Sequence, residues 1–286
     1  MDQFGVLDPN LDGLERQRTL QIAAQRKIRE TLLHSLSPLE TVLFIDNDSP
    51  SAKAVFSMIP YQPNQRLTDR EIAVALTVKT LSLGAPGERC IACGKDNTIE
   101  HDQQCMMKTH HRTHRHNRLV REALASAVKS KPNTRTEFEC TLPKTLPQDP
   151  TLIIDIRVRG PGAINTVGTD GDVSVTSVTN RDSRHLLLQW LEDTEKAVLQ
   201  LTNPTKFAEE YIREVLARRA RLKDDKYAGK SDFPFIPLII TSGGWLHERW
   251  IKWMKDLQPE LKLKRLYQTI GVILLQTRAV NFRMDY

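Results

Sequence analysis

The sequence predicts an α/β protein, a mixed sheet flanked by helices, and three observations carry that prediction. Two runs of strand formers, Thr151-Leu-Ile-Ile-Asp155-Ile-Arg-Val158 and Asp172-Val-Ser-Val-Thr-Ser-Val178, lie on either side of a turn at Gly160-Pro-Gly. A strongly apolar run, Asp232-Phe-Pro-Phe-Ile-Pro-Leu-Ile-Ile-Thr241, returns later, and its prolines suit a sheet edge. Between and around these runs, apolar residues recur at helical steps.

In chain order, residues 9–36 read as one helix, with Leu14, Ile22, Ile28, Leu32 and Leu33 among Arg and Gln, ended by Ser37-Pro38. A short apolar run, Thr41 to Ile45, precedes a turn at Asn47-Asp-Ser-Pro50. Thr68 and Glu71 form a capping box that starts a helix to about Leu83, burying Ile72, Leu76 and Leu83 and closed by Gly84-Ala-Pro-Gly87. From His116 an amphipathic helix buries Leu119, Ala123, Leu124, Ala127 and Val128 and ends near Pro132. Thr134 to Leu142 alternates as a strand, with Glu137 and Glu139 on one face and Phe138 and Cys140 on the other. After the two aspartate-bearing runs, one helix starts at Asp182-Ser183 and extends past Val198 to Leu201. Another runs from Pro204 to about Lys226. Ser242-Gly-Gly-Trp245 turns the last apolar run into a helix from Leu246 to Leu257, and a final helix covers about 260–280.

The 286 residues suffice for a substantial core in one or two domains. Forty-one basic residues against 35 acidic ones give a net charge of +6, a mild lean towards a polyanionic partner. No apolar run reaches the roughly 18 residues that a membrane span needs, and no leader pattern opens the sequence. The composition therefore predicts a soluble, intracellular, globular protein with affinity for nucleic acid.

Cys90-Ile-Ala-Cys93-Gly94, followed by His101 and Cys105, has the spacing C-x2-C-x7-H-x3-C. Two cysteines two apart can grip one ion from a knuckle turn. The histidine and third cysteine complete a tetrahedral set with no open position, which is a structural zinc pattern. The other reading is three reduced thiols beside a surface histidine. The basic, His-rich segment Lys108 to Arg118 follows directly. It reads either as phosphate contact through Arg112, Arg115 and Arg118 or as a solvated loop whose histidines cap a helix.

A lone carboxylate among apolar strand neighbours is costly unless paired or holding a cation. Asp155 and Asp172, on adjacent strands, make a reasonable pair of Mg²⁺ ligands. The alternative has Asp155 paired with Arg157 or Arg159, and Asp172 capping the turn at Gly168 and Gly171. Downstream, Lys223-Asp-Asp-Lys226-Tyr227 can bring an ammonium to the same site.

In order, the chain carries Cys90-x2-Cys93…His101-x3-Cys105, Arg115-His116-Asn117, Asp172-Val-Ser-Val, Lys223-x2-Lys226-Tyr227 and Phe235-Ile-Pro-Leu…Gly243-Gly-Trp245. Over roughly residues 65–257 this order resembles the C-terminal region of non-LTR retrotransposon reverse transcriptases with a restriction-like endonuclease. The resemblance implies a PD-(D/E)XK restriction-endonuclease-like core over 116–257, a helical region over 1–88, a CCHC zinc knuckle with basic linker over 89–115, and a C-terminal helix over 258–286. It implies a metal-dependent nuclease that nicks target DNA so that the freed 3′-hydroxyl primes reverse transcription. Asp155 and Asp172 would be its acids and magnesium ligands, Lys226 first and Lys223 second its lysine, with Glu139 or Glu122 as a further ligand. Zn²⁺ would be structural and Mg²⁺ catalytic. DNA, and element RNA beside it, would be held by Arg112, Arg115, His116, Asn117 and Arg118. A reverse transcriptase or a second copy of the chain would be the protein partner, the nucleus the place of action, and no membrane would be involved.

Two departures from the family pattern stand out. The Lys/Arg-Pro pair that precedes the family's first aspartate reads Ile153-Ile154 here, and no Tyr/Phe-x-Asp-Asp element of a reverse transcriptase occurs. Two rival expectations follow. One is a non-catalytic nucleic-acid-binding protein that keeps the nuclease core as scaffold. The other is a zinc-stabilised protein–protein adaptor, which would need Trp245, Trp250 and Trp253 to be exposed.

Overall fold

A computed structural model of the chain describes residues 13–280, apart from 58, 61–62, 82–88, 91, 97, 99–100, 102–104, 130, 145, 149, 166 and 258–259. Four helices lead: α1 (Gly13–Ser35), α2 (Pro38–Asp46), α3 (Pro50–Ser57) and α4 (Asp69–Lys79). Helix α5 begins as Thr109–Arg118 and continues without a break through a π-helical turn, Leu119–Leu124, into Ala125–Lys129. Strands β1 (Arg135–Thr141), β2 (Ile153–Arg159) and β3 (Thr169–Thr176) follow. Then come α6 (Arg181–Glu192), α7 (Thr194–Thr202), α8 (Pro204–Tyr227), β4 (Phe235–Thr241), α9 (Glu248–Leu257) and α10 (Glu260–Ala279). None of the described helices is long and apolar enough to cross a membrane.

The expected α/β architecture is present as a four-stranded mixed sheet between helices. Its order is β1-β2-β3-β4, with β1, β2 and β3 antiparallel and β4 parallel to β3 at the edge. Proline is tolerated there because an edge strand needs only half of its ladder bonds. One face of the sheet buries Ile156, Val158 and Leu238 against α5, α9 and α10. The other buries Ile239 against α2, α6 and α8, where Phe207, Tyr211 and Ile212 are fully enclosed.

Several elements depart from the sequence reading. The run Thr41 to Ile45 is the middle of α2, and its start signal is a capping box: Ser37 Oγ accepts from Glu40 N while Glu40 Oε2 accepts from Ser37 N. The capping box at Thr68 and Glu71 holds. Helix α4, however, turns Val74, Ala75 and Val78 inwards and leaves Ile72 and Leu76 exposed, because it packs against α10. Leu83 to Gly87 and the first residues of 9–36 lie outside the described residues. The helix expected from Asp182 past Val198 is two helices. Asp193 breaks it by adopting an extended conformation and accepting from the N–H groups of Glu195 and Lys196.

Trp250 and Trp253 are buried, and Trp245 donates from Nε1 to the Ile45 carbonyl at 3.0 Å. The tryptophans thus hold the fold together and offer no exposed docking face. The Gly-Gly before Trp245 serves the same end. A Cβ on Gly243 would stand 2.2 Å from the Asp46 carbonyl oxygen, and one on Gly271 would stand 2.3 Å from that of Ser51. Helices α2 and α3 therefore pack directly on the β4–α9 turn and on α10.

Candidate active site and nucleic-acid interface

Ladder pairing between β2 and β3 stops at Ile156 and Gly171. One step further the strands part, and the Val173 N–H donates to Asp155 Oδ2 at 2.5 Å instead of to a strand carbonyl. Asp155 and Asp172 sit at this opening as electrostatic neighbours, each carboxyl shifting the other. β1 is distorted at the same level. Glu139 adopts a left-handed conformation, φ 53°, uncommon for a residue with a side chain, and drops out of the β1–β2 ladder.

The opening admits side chains from both layers. From α5, His116 Nε2 lies 3.0 Å from Asp155 Oδ2 and 3.2 Å from the Val173 carbonyl oxygen. A carbonyl only accepts, so Nε2 carries the proton. From α8, Lys223 Nζ donates to Asp172 Oδ2 at 2.5 Å. Burial pushes the Asp172 carboxyl up and the neighbouring Asp155 carboxyl adds to that, while Lys223 opposes both. Burial acts upwards on Asp155 too, but hydrogen bonds from His116 and Asp172 and the Val173 N–H outweigh it and hold the group below its ordinary value. His116 is raised in turn, chiefly by its bond to Asp155 and against the effect of burial. The two neighbouring carboxyls are thus pushed in opposite directions, Asp172 up and Asp155 down, as expected of two acids that disfavour each other's ionisation.

The two lysines exchange places relative to the sequence reading. Lys226 Nζ reaches the Tyr227 hydroxyl at 3.0 Å, and that hydroxyl donates to the Ile153 carbonyl. Only Lys223, one turn nearer the helix start, touches the acid pair. Glu139 is two-thirds exposed with its carboxylate towards Arg121 at 3.7 Å, and Glu122 is held by Arg118 through two bonds of 2.8 and 3.0 Å. The pairing of Asp155 with Arg157 is also not formed. Arg157 grips Asp170 in a two-toothed bond of 2.7 and 2.9 Å.

The knuckle closes as its spacing requires. Gly94, at φ 72°, makes the turn, and its N–H donates to the Cys90 carbonyl at 2.8 Å. Donor atoms of Cys90, Cys93, His101 and Cys105 all lie within 4.8 Å of one another, and none of these cysteines is in a disulfide. Cys90 Sγ is 3.8 Å from Cys105 Sγ. A tetrahedron with bonds of about 2.3 Å has edges of about 3.8 Å, so the four donors fit a metal ion such as zinc. The Cys90 thiol falls to about 6: burial resists the shift, and bonds from the Ala92 N–H and His101 overcome it. The knuckle is tied to α5 by Arg112 Nη2, which donates to the Cys105 carbonyl at 2.7 Å.

Of the five residues expected to meet nucleic acid, Arg112 and Arg115 line a groove between α5 and α8. His116 turns to the acids, Asn117 Oδ1 lies 3.3 Å from His116 Nδ1, and Arg118 turns to Glu122. Three further groove residues, Arg218, Arg219 and Arg221, were missed. Their signal was the density of arginine on α8 itself. No protein-family model matches this chain, and no curated protein matches it.

Proposed function

We propose that the chain is a metal-dependent endonuclease acting on DNA, with Asp155, Asp172 and Lys223 as its centre and the knuckle as a structural zinc site. The observation that carries this reading is the pair of neighbouring, largely buried carboxyls with an ammonium on one of them and an imidazole on the other. Support also comes from the order helix, three antiparallel strands, three helices, parallel strand, which is compatible with the PD-(D/E)XK core that the motifs suggest.

In this reading Asp155, Asp172 and the Val173 carbonyl offer the oxygen atoms for Mg²⁺, which would lower the pKa of a bound water and offset charge on the scissile phosphate. Lys223 donates hydrogen bonds to the attacking water or to the phosphoryl oxygens as charge builds there. His116, protonated at Nε2, holds Asp155 ionised and fixes its rotamer. Water adds to phosphorus, the bond from phosphorus to the 3′-oxygen breaks, and that oxygen takes a proton to leave a 3′-hydroxyl and a 5′-phosphate.

A second reading is a nucleic-acid-binding module without catalysis. It is favoured by Ile153-Ile154 in place of a Lys/Arg-Pro pair before Asp155. Plasmid nicking separates the two. Supercoiled DNA is treated with wild type and with Asp172→Ala, in Mg²⁺ and in EDTA. Nicking by wild type in Mg²⁺ alone, lost in the variant, is the expected result. If both proteins bind DNA equally and neither cuts, the binding module stands.

A further inference from the structure

The groove between α5 and α8 has a volume of about 780 Å³ and is built on the same strand and helix that carry Asp172 and Lys223. Its floor is Val175, Thr176 and Ser177, the continuation of the strand that bears Asp172. Its far wall is α8, where Arg219 bonds Ser174 Oγ at 3.1 Å one turn before Lys223 bonds Asp172. Arg112 and Arg115 come from the facing wall. The groove shares Asp182 and Arg218 with a second recess of about 840 Å³, which adds Arg181, Arg184 and His185 at the start of α6. One mainly cationic track, with Asp182 and Asp225 among its arginines, therefore runs beside the strand that bears Asp172 and across the N-terminal end of α6.

Its chemistry is selective. Two guanidiniums, Arg218 and Arg221, share the single carboxylate of Glu214 at 3.0 and 2.9 Å, so the trio keeps a net positive charge. No Phe, Tyr or Trp is among the described residues that line either recess. Sites for single strands combine a basic groove with aromatic platforms on which bases stack. Here the platforms are missing, and arginine forks matched to phosphate oxygens remain.

We propose that this track holds the sugar–phosphate backbone of double-stranded DNA, contacting phosphates and reading no bases, and delivers one phosphodiester to the acid pair. The inference rests on the nuclease reading for the fate of that phosphodiester. The binding itself does not depend on it.

The test is fluorescence anisotropy with the full chain in EDTA, where cutting plays no part. The probes are two duplexes of equal length and unlike sequence and one single strand of that length, each titrated over a range of salt. Arg218→Gln/Arg221→Gln should bind both duplexes about tenfold more weakly at 0.1 M salt and lower the salt slope by about two, equally for the two sequences. Arg181→Gln, an exposed position in the second recess, should lower the slope by about one. Arg213→Gln, whose side chain is 65% exposed on α8 outside the groove, should change nothing. Unchanged duplex binding in both groove variants overturns the proposal, as does a loss confined to one sequence or tighter binding of the single strand. A groove variant that binds normally while wild type still nicks leaves the nuclease standing. Weakened binding in a chain that never nicks leaves the groove standing.

Discussion

Lys223 and Asp172 meet at 2.5 Å across 51 residues of sequence, with Lys223 on a helix and Asp172 at the level where β2 and β3 separate. That contact ranks the two lysines of the Lys-x-x-Lys-Tyr motif. Lys223→Ala should slow Mg²⁺-dependent nicking by about a hundredfold to a thousandfold, the usual effect of removing a preorganised charge donor. Lys226→Ala should cost no more than a few-fold. Because Lys223 draws the Asp172 carboxyl down, its loss should also move the acid limb of the rate profile to higher pH. Equal losses from the two substitutions would refute the assignment.

His116 makes a separate prediction about pH. Its Nε2–H is the strongest influence that lowers Asp155. His116→Ala should let the Asp155 carboxyl rise, so activity should set in at higher pH, with a fall in kcat larger than any change in KM. His116→Gln, whose amide can also donate, should recover part of the rate. A variant with the wild-type pH profile would remove His116 from the centre.

The pairing of His116 with Asp155 also marks how much of the site the sequence made legible. The knuckle was readable because its four ligands are close in sequence and their spacing is a geometric requirement. Asp155 and Asp172 were readable because a carboxylate amid β-branched residues is an anomaly at the level of the strand. The choice between Lys223 and Lys226 depends on how α8 is rotated over the sheet, and both residues satisfy the same local pattern. The role of His116 depends on α5 reaching a gap between strands that only tertiary pairing creates. In the fold, α2 was hidden because Thr41 to Ile45 suits strand and helix alike, although Ser37-x-x-Glu40 carried the helix start in plain view. The inward face of α4 was set by α10, about 190 residues away.

Metal analysis should find one zinc per chain, held at the knuckle. Cys105→Ser should lose that ion. Because Arg112 is bound to the Cys105 carbonyl, the variant should also loosen the start of α5 and weaken duplex binding. Mass spectrometry under native conditions, paired with the anisotropy titration, checks both outcomes. A chain that binds DNA fully with no zinc would detach the knuckle from the interface.

Asp46 should make the fold itself sensitive to pH. It is fully buried, and burial pushes its carboxyl up to about 6 despite bonds from Thr241 and the Gly243 N–H and the charge of Arg278. The folded chain thus holds a proton that the unfolded chain releases near pH 4. The stabilising contribution is whole below about pH 4 and disappears as pH climbs to about 6, at most about 3 kcal/mol. Urea unfolding at pH 4.5 and pH 7 should show wild type losing more stability over that interval than Asp46→Asn. Equal losses would exclude Asp46 as the source.

Gly243→Ala should destabilise the chain by about 3 kcal/mol or more, since its Cβ would meet the main chain of Asp46 and no side chain can swing aside. Gly94→Ala differs: nothing lies near its Cβ, so its cost is the left-handed φ of 72° alone, about 1 kcal/mol. Thermal melts of the two variants should rank them in that order.

The π-helical turn at Leu119–Leu124 has a genetic consequence. It holds one residue more than a regular helix would need between Arg118 and Ala125. Upstream of it lie Arg112, Arg115 and His116, and downstream lies the buried anchor of Ala125 and Val128. Loss of one codon from this stretch would restore an ordinary helix and leave the upstream part facing as before. Loss of one codon from a regular turn of the same helix would instead swing that part by about 100° about its axis. The anchor would stay seated, while His116 and the groove arginines would point elsewhere. A lineage could therefore lose one codon at Leu119–Leu124 and keep the imidazole and the arginines in register with the acid pair.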